Sequence, residues 1–152
     1  NHATTHYTVG QVFEGTDSSG RWAAWKYVQF LDAVVYIRGQ IMTWANAAGT
    51  AVTNDRVGGT DIGSTQPAGI GSAIYTQNYY GFMKVSGYAL VIGDGAVAAG
   101  ESVVPHTVDG QMDTMGAGEE NLVFGVALQA DDIANDPLAT SAMSLVQLKG
   151  LL

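Results

Sequence analysis

The chain has 152 residues, enough for one ordinary domain with a sizeable core, and a net charge of −8 with 13% charged against 47% hydrophobic residues. Its three Lys and three Arg are thinly spread along the sequence, so no cationic run is available to displace counterions, and nucleic-acid binding is not expected. The absence of cysteine removes disulfides, thiolate nucleophiles and Cys-based metal sites, and no run approaches the ~20 apolar residues of a membrane-spanning helix, so no membrane partner is expected.

In chain order, Asn1-His2-Ala3-Thr4-Thr5 is polar and lacks signal-peptide character. Thr8-Val9-Gly10-Gln11-Val12-Phe13 alternates like an edge strand, and Thr16-Asp17-Ser18-Ser19-Gly20 is a turn cluster. Residues 1–24 are therefore expected to form an extended N-terminal arm. About 15 extended residues reach ~50 Å at ~3.3 Å each, enough to cross onto a neighbouring molecule. The alternative is that the segment completes its own sheet. Residues 22–37 carry two patterns at once. Ala24, Val28, Leu31 and Val35 follow a helical spacing, whereas Trp25, Tyr27 and Phe30 are strand-like. The aromatic and β-branched content favours a strand over 25–31, followed by a short helical turn over 33–38.

From there the sequence repeats itself. Gly39-Gln40 opens Ile41-Met42-Thr43-Trp44 as Gly100-Glu101 opens Ser102-Val103-Val104-Pro105, and Gly49 with Thr53 answers Gly110 with Thr114. Ala68-Gly69-Ile70 matches Phe124-Gly125-Val126, and Phe82-Met83-Lys84-Val85-Ser86-Gly87 matches Leu145-Val146-Gln147-Leu148-Lys149-Gly150. Upstream, Tyr27-Val28-Gln29-Phe30-Leu31 aligns with Tyr88-Ala89-Leu90-Val91-Ile92. The offset is about 61 residues, which divides a β domain at 25–152 into pseudo-repeats at 25–87 and 88–150. Asp109-Gly110 is a hairpin signal, Asn46-Ala47-Ala48-Gly49 a looser one, and 57–67 and 131–140 read as long loops. The expected fold is all-β: about ten short strands in a small barrel or sandwich of two similar units, produced by internal duplication, plus the N-terminal arm.

The search for chemistry finds no anchor. His2, His6 and His106 have no second ligand at a metal-binding spacing, and no Gly-x-Ser-x-Gly elbow occurs. Glu119-Glu120 and Asp131-Asp132 are adjacent pairs that suit solvated turns better than a cleft. Asp109 and Asp113 could clasp Ca²⁺ only loosely, without an EF-hand pattern. Gly69-Ile70-Gly71 and Gly93-Asp94-Gly95 lack the third glycine of a dinucleotide loop. No catalytic, cofactor-binding or metal residue is assigned, and the chain is not expected to be an enzyme. Its aromatics point instead to protein contacts, because Trp and Tyr bury large areas while keeping a polar handle. The candidate interface residues are Tyr7, Val9, Val12 and Phe13 on the arm, with Trp22, Trp44, Tyr79 and Tyr80.

Several runs carry a resemblance: Tyr79-Tyr80-Gly81-Phe82-Met83-Lys84-Val85-Ser86-Gly87-Tyr88, Ala96-Val97-Ala98-Ala99-Gly100-Glu101-Ser102-Val103-Val104-Pro105-His106, and Phe124-Gly125-Val126-Ala127-Leu128. Together they resemble capsid decoration, or cement, proteins of tailed bacteriophages. Residues 8–27, with Thr8-Val9-Gly10-Gln11 and Trp25-Lys26-Tyr27, resemble the amino end of similar virion proteins. The resemblance implies a small β fold on the capsid exterior, made in the host cytoplasm during assembly. It implies a homodimer or homotrimer that binds the major capsid protein and stiffens its lattice, and it carries over no catalytic residue. A rival expectation is a carbohydrate-binding or adhesive module with Trp22, Trp44, Tyr79 or Tyr80 as a stacking platform. A β-fold hydrolase would require His106 to meet a carboxylate and a Ser or Thr.

Overall fold

A computed structural model describes residues 1–31, 36–55, 66–131 and 142–151. The competition between periods at 22–37 resolves as strand, because aromatic and β-branched side chains fit a surface covered on both sides. That strand, β2 (Trp22–Phe30), follows β1 (Val12–Thr16) and precedes β3 (Ile41–Trp44), β4 (Ala51–Thr53), β5 (Pro67–Gly71) and β6 (Tyr80–Ile92). The second half holds β7 (Ser102–Pro105), β8 (Met112–Thr114), a short 3-10 turn at Glu120–Leu122, β9 (Gly125–Ala127) and β10 (Met143–Leu148). The protein is all-β, with no α-helix among the described residues.

Five strands close on themselves. β2 runs parallel to β4, β4 pairs with β3, β3 with β5, β5 with β6, and β6 returns to β2 with Tyr27 opposite Phe82. Closure leaves no free edge within this barrel. Its interior holds Ala24, Val28, Phe30, Tyr36, Met42, Val52, Tyr75, Met83 and Val85. The Phe30 and Tyr75 rings stack there at 3.9 Å between centroids. The Tyr75 hydroxyl donates to the Phe82 carbonyl and accepts from the Ser72 N–H, so its polar atom is satisfied. Burial pushes the phenol up to about 12.

β6 is long enough, at 13 residues, to serve two units. Its first half belongs to the barrel, and Gly87–Ile92 pairs with β10. Gly87 sits at the handover with φ +91°, and a β-carbon there would lie 2.6 Å from the Trp22 carbonyl oxygen, so only glycine fits. Beyond it, β10 pairs with β9, β9 with β7, and β7 with β8. An isolated parallel bridge, Gly93 to Met112, brings β8 back to the residue just past β6. A second core of Val91, Val103, Met112, Phe124, Ala127, Val146 and Leu148 fills this unit.

The pairings of the first unit have counterparts in the second. Leu31 N–H donates to the Val52 carbonyl at 3.0 Å, and Asp94 N–H to the Met112 carbonyl at 3.2 Å. Gly39 donates to Gly71 at 2.9 Å, and Gly100 to Ala127 at 2.7 Å. Ala45 donates to Ala51 at 3.0 Å, and His106 to Gln111 at 2.8 Å. The Asp109-Gly110 hairpin forms between β7 and β8, with Gly110 at φ +73°. One register differs from the sequence alignment. Tyr27 faces Phe82 as Leu90 faces Leu145, so Leu90, not Tyr88, is the positional counterpart of Tyr27.

Two other expectations also differ. The arm expected over residues 1–24 is not seen, and the segment instead completes the domain's own sheet, the alternative reading. β1 forms a hairpin with β2, His2 bridges Tyr80, and Gly10 N–H donates to the Tyr27 carbonyl at 2.7 Å. The cause is Tyr27 and Phe82, whose rings lie on the barrel's outer side and need an apolar cover, which Tyr7 and Phe13 provide. Of the helical turn expected at 33–38, residues 33–35 lie outside the described residues, and Tyr36 makes an antiparallel bridge to Tyr75. The loops expected at 57–67 and 131–140 fall almost wholly outside the described residues as well.

Candidate functional site

The outer side of β1, β2 and β6 carries a continuous aromatic face. Tyr7 lies 5.2 Å from Phe13, 5.3 Å from Tyr27 and 5.3 Å from Phe82 between ring centroids. Phe13 meets Phe82 edge-on at 5.2 Å, and Tyr80 stacks over Tyr27 at 6.2 Å. Edge-to-face contacts at these spacings suit the ring quadrupoles. The stack is graded from inside to outside: Tyr27 is fully buried, Phe13, Tyr80 and Phe82 are half-buried, and Tyr7 remains 46% exposed. Beside it, β1 pairs only with β2 among the described residues. Its outer edge therefore presents unpaired backbone groups next to exposed Val12.

The fold thus brings together three of the sequence-predicted interface residues, Tyr7, Phe13 and Tyr80, and leaves the others apart; exposed Val12 pairs with Lys26 and lies on the face of β1 opposite Phe13. Val9 lines a shallow groove with Gln11, Lys26 and the turn at 48–50. Trp44 is covered by the Lys26 ammonium, 4.6 Å from its ring centroid, and burial lowers that amine from its ordinary value. Tyr79 is half-buried, and its carbonyl accepts from Phe30 N–H at 2.9 Å. Trp22 is 53% exposed at the start of β2, whereas Tyr80 lies opposite Gln29 near the end of that strand. No shared stacking platform joins Trp22 to Tyr79 and Tyr80.

A second feature was invisible in the linear sequence. Arg21, Arg38 and Lys84, half of the chain's six Lys and Arg, line one cleft of ≈ 630 Å³ with Trp25, Tyr88 and, among the described residues, a single carboxylate, Asp17. The turn between β1 and β2, the turn before β3 and the middle of β6 supply them. Asp17 is an organiser. Its Oδ1 accepts from Ser19 N–H at 2.9 Å and Arg21 N–H at 3.0 Å, and its Oδ2 accepts from Lys84 Nζ at 3.3 Å. The Arg21 N–H, helped by Ser19 and Lys84, holds this carboxyl below the usual carboxylate range against the opposing effect of burial. Lys84 Nζ also donates to the Tyr88 carbonyl at 2.6 Å, and the Arg21 guanidinium lies 4.8 Å from the Tyr88 ring centroid.

A third grouping joins residues distant in sequence. Asp94, His106 and Asp113 place potential ligand atoms within 4.8 Å of one another, although spacing alone offered His106 no second ligand. His106 Nδ1 accepts from Val108 N–H at 2.9 Å, which engages its lone pair and leaves the proton of the neutral ring on Nε2. Nε2 lies 3.9 Å from Asp113 Oδ2. In this arrangement His106 faces the carboxylate as a donor, whereas a metal ligand must offer a lone pair. No protein-family model and no curated protein matches the chain.

Proposed function

We propose that the chain is a structural virion protein that binds the outer surface of a tailed-phage capsid and stabilises the lattice of its major capsid protein, acting as a homodimer or homotrimer. The observation that carries this reading is the aromatic face of Tyr7, Phe13, Tyr80 and Phe82 beside the unpaired edge of β1. Half-buried aromatic rings supply contact area at a small cost in side-chain freedom, and an open strand edge supplies main-chain hydrogen bonds to an added strand. The resemblance to decoration proteins supports a capsid subunit as the owner of that strand. Repetition of the contact over a symmetric oligomer raises avidity without making any single contact tight. We read the two units as copies of one duplicated β unit, a reading supported by their matched pairings and by the sequence repeat.

The test is co-sedimentation of the purified chain with phage heads lacking it, comparing wild type with Val12→Lys. A lysine on an edge strand opposes strand addition while leaving the folded domain intact. The expected result is that wild type pellets with heads and Val12→Lys does not. Equal pelleting of the variant would remove the β1 edge from the reading, and failure of wild type to pellet would remove the capsid.

A further inference from the structure

We infer that the cleft formed by Arg21, Arg38 and Lys84 is a binding site for a doubly charged oxyanion, either a phosphate group or a pair of carboxylates. In a chain of net charge −8, three of six cationic side chains converge on this one cleft, and among the described residues Asp17 is the only acidic one in its lining. The local balance is therefore +2, opposite in sign to the rest of the molecule. A concave wall lined by one sign of charge focuses potential and draws in counter-ions of the other sign.

The cations are not equally occupied. Lys84 is held by Asp17 and the Tyr88 carbonyl, so it acts as a fixed positive wall. Arg21 is anchored through its backbone and its Tyr88 contact, yet its Nε is buried with no hydrogen-bond acceptor among the described residues. The nearest carboxylate oxygen, Asp17 Oδ2, is 3.8 Å from that Nε, within ion-pair reach and beyond hydrogen-bond reach. A buried donor without an acceptor costs free energy, while the Arg21 side chain as a whole is 41% exposed and open to a ligand at the cleft. Arg38 has no hydrogen-bond or ion-pair partner among the described residues, and its side chain is exposed at the cleft. Two guanidinium groups with donors to spare match the planar and tetrahedral geometries of carboxylate and phosphate. The faces of Trp25 and Tyr88 already lie beneath Lys84 and Arg21, at 5.6 and 4.8 Å, so the cleft selects for negative charge rather than for a stacked ring. The cleft adjoins the aromatic face, since Trp25 and Ser72 line both, but the inference uses none of the aromatic contacts and stands whether or not the chain binds a capsid.

The test is a titration of the intact protein with inorganic phosphate and, separately, with succinate, followed by backbone NMR shifts, with sodium chloride at matched ionic strength as the control. Saturable shifts confined to 16–21, 38, 70–72, 84 and 88–90 are expected, and chloride should not reproduce them. Arg38→Gln, on an exposed turn, and Arg21→Gln should each weaken binding roughly tenfold or more, as loss of a charge-assisted hydrogen bond implies. Saturation by phosphate alone would assign the site to phosphate-bearing ligands, and saturation by succinate alone to dicarboxylates. Non-saturating shifts with both probes, or affinities unchanged in a folded Arg38→Gln variant, would overturn the inference.

Discussion

Replacing Tyr7 by Ala tests whether the amino-terminal segment is a docked part of the domain or a free arm. A tyrosine that becomes fully buried removes ~150–250 Å² from water, and Tyr7 is 46% exposed, so the ring contributes about 100 Å². At ~25 cal/mol per Å² this is worth up to about 2.5 kcal/mol, and the compactness of real unfolded chains lowers it toward 1.5–2. Loss of the edge contacts to Phe13, Tyr27 and Phe82 acts in the same direction. For a domain of this size about 2 kcal/mol corresponds to a fall of roughly 4–8 °C in Tm. Scanning calorimetry of Tyr7→Ala and Tyr7→Phe reads the effect, with Tyr7→Phe expected within ~0.5 kcal/mol of wild type because it keeps the ring. A Tyr7→Ala variant melting within a degree of wild type would refute the docking and restore a free arm.

Gly125→Ala places a β-carbon 2.6 Å from the Gln147 carbonyl oxygen, and Gly69→Ala places one 2.8 Å from the Lys84 carbonyl oxygen at the corresponding point of the barrel. Backbone cannot yield as a side chain can, so each should cost ~1–3 kcal/mol and lower the urea midpoint without changing the slope. Unchanged midpoints would contradict the close strand approach in both units. Tyr75 gives a pH prediction: its folded value of about 12 lies above the ordinary 10.0, so the stability linked to its proton is full below pH 10 and declines as pH rises from 10 through 12. The expected loss is about 2–3 kcal/mol over that window, and Tyr75→Phe should lack this component of the alkaline slope. Matching alkaline slopes in both proteins would contradict the burial of that hydroxyl.

Much of the β character was legible because its signals are local. The Asp109-Gly110 turn, the alternation of Phe82–Ser86 and Leu145–Leu148, and the recurrent glycines each act within a few residues. The parts that were not legible depend on what a strand faces. β2 is largely covered on both sides, so its sequence reads as strand and helix at once, and nothing in it says that Tyr27 needs a cover from Tyr7. The arm was therefore expected to project from the domain. The alignment of Tyr27 with Tyr88 followed residue identity, whereas the ladder follows hydrogen bonds and matches Tyr27 with Leu90. Arg21, Arg38 and Lys84 are thinly spread in the chain and meet only because two turns and the middle of β6 close on one cleft. Asp94, His106 and Asp113 meet for the same kind of reason, through β8 returning to the end of β6.

The most direct measurement of the proposed role is an electron cryomicroscopy reconstruction of purified phage heads after incubation with a saturating excess of the chain. The account predicts ordered β-rich density repeating with the capsid symmetry, with β1 and the Tyr7–Phe13 face turned toward the shell. Bare heads, or bound density with β1 and that face turned to solvent, would contradict it.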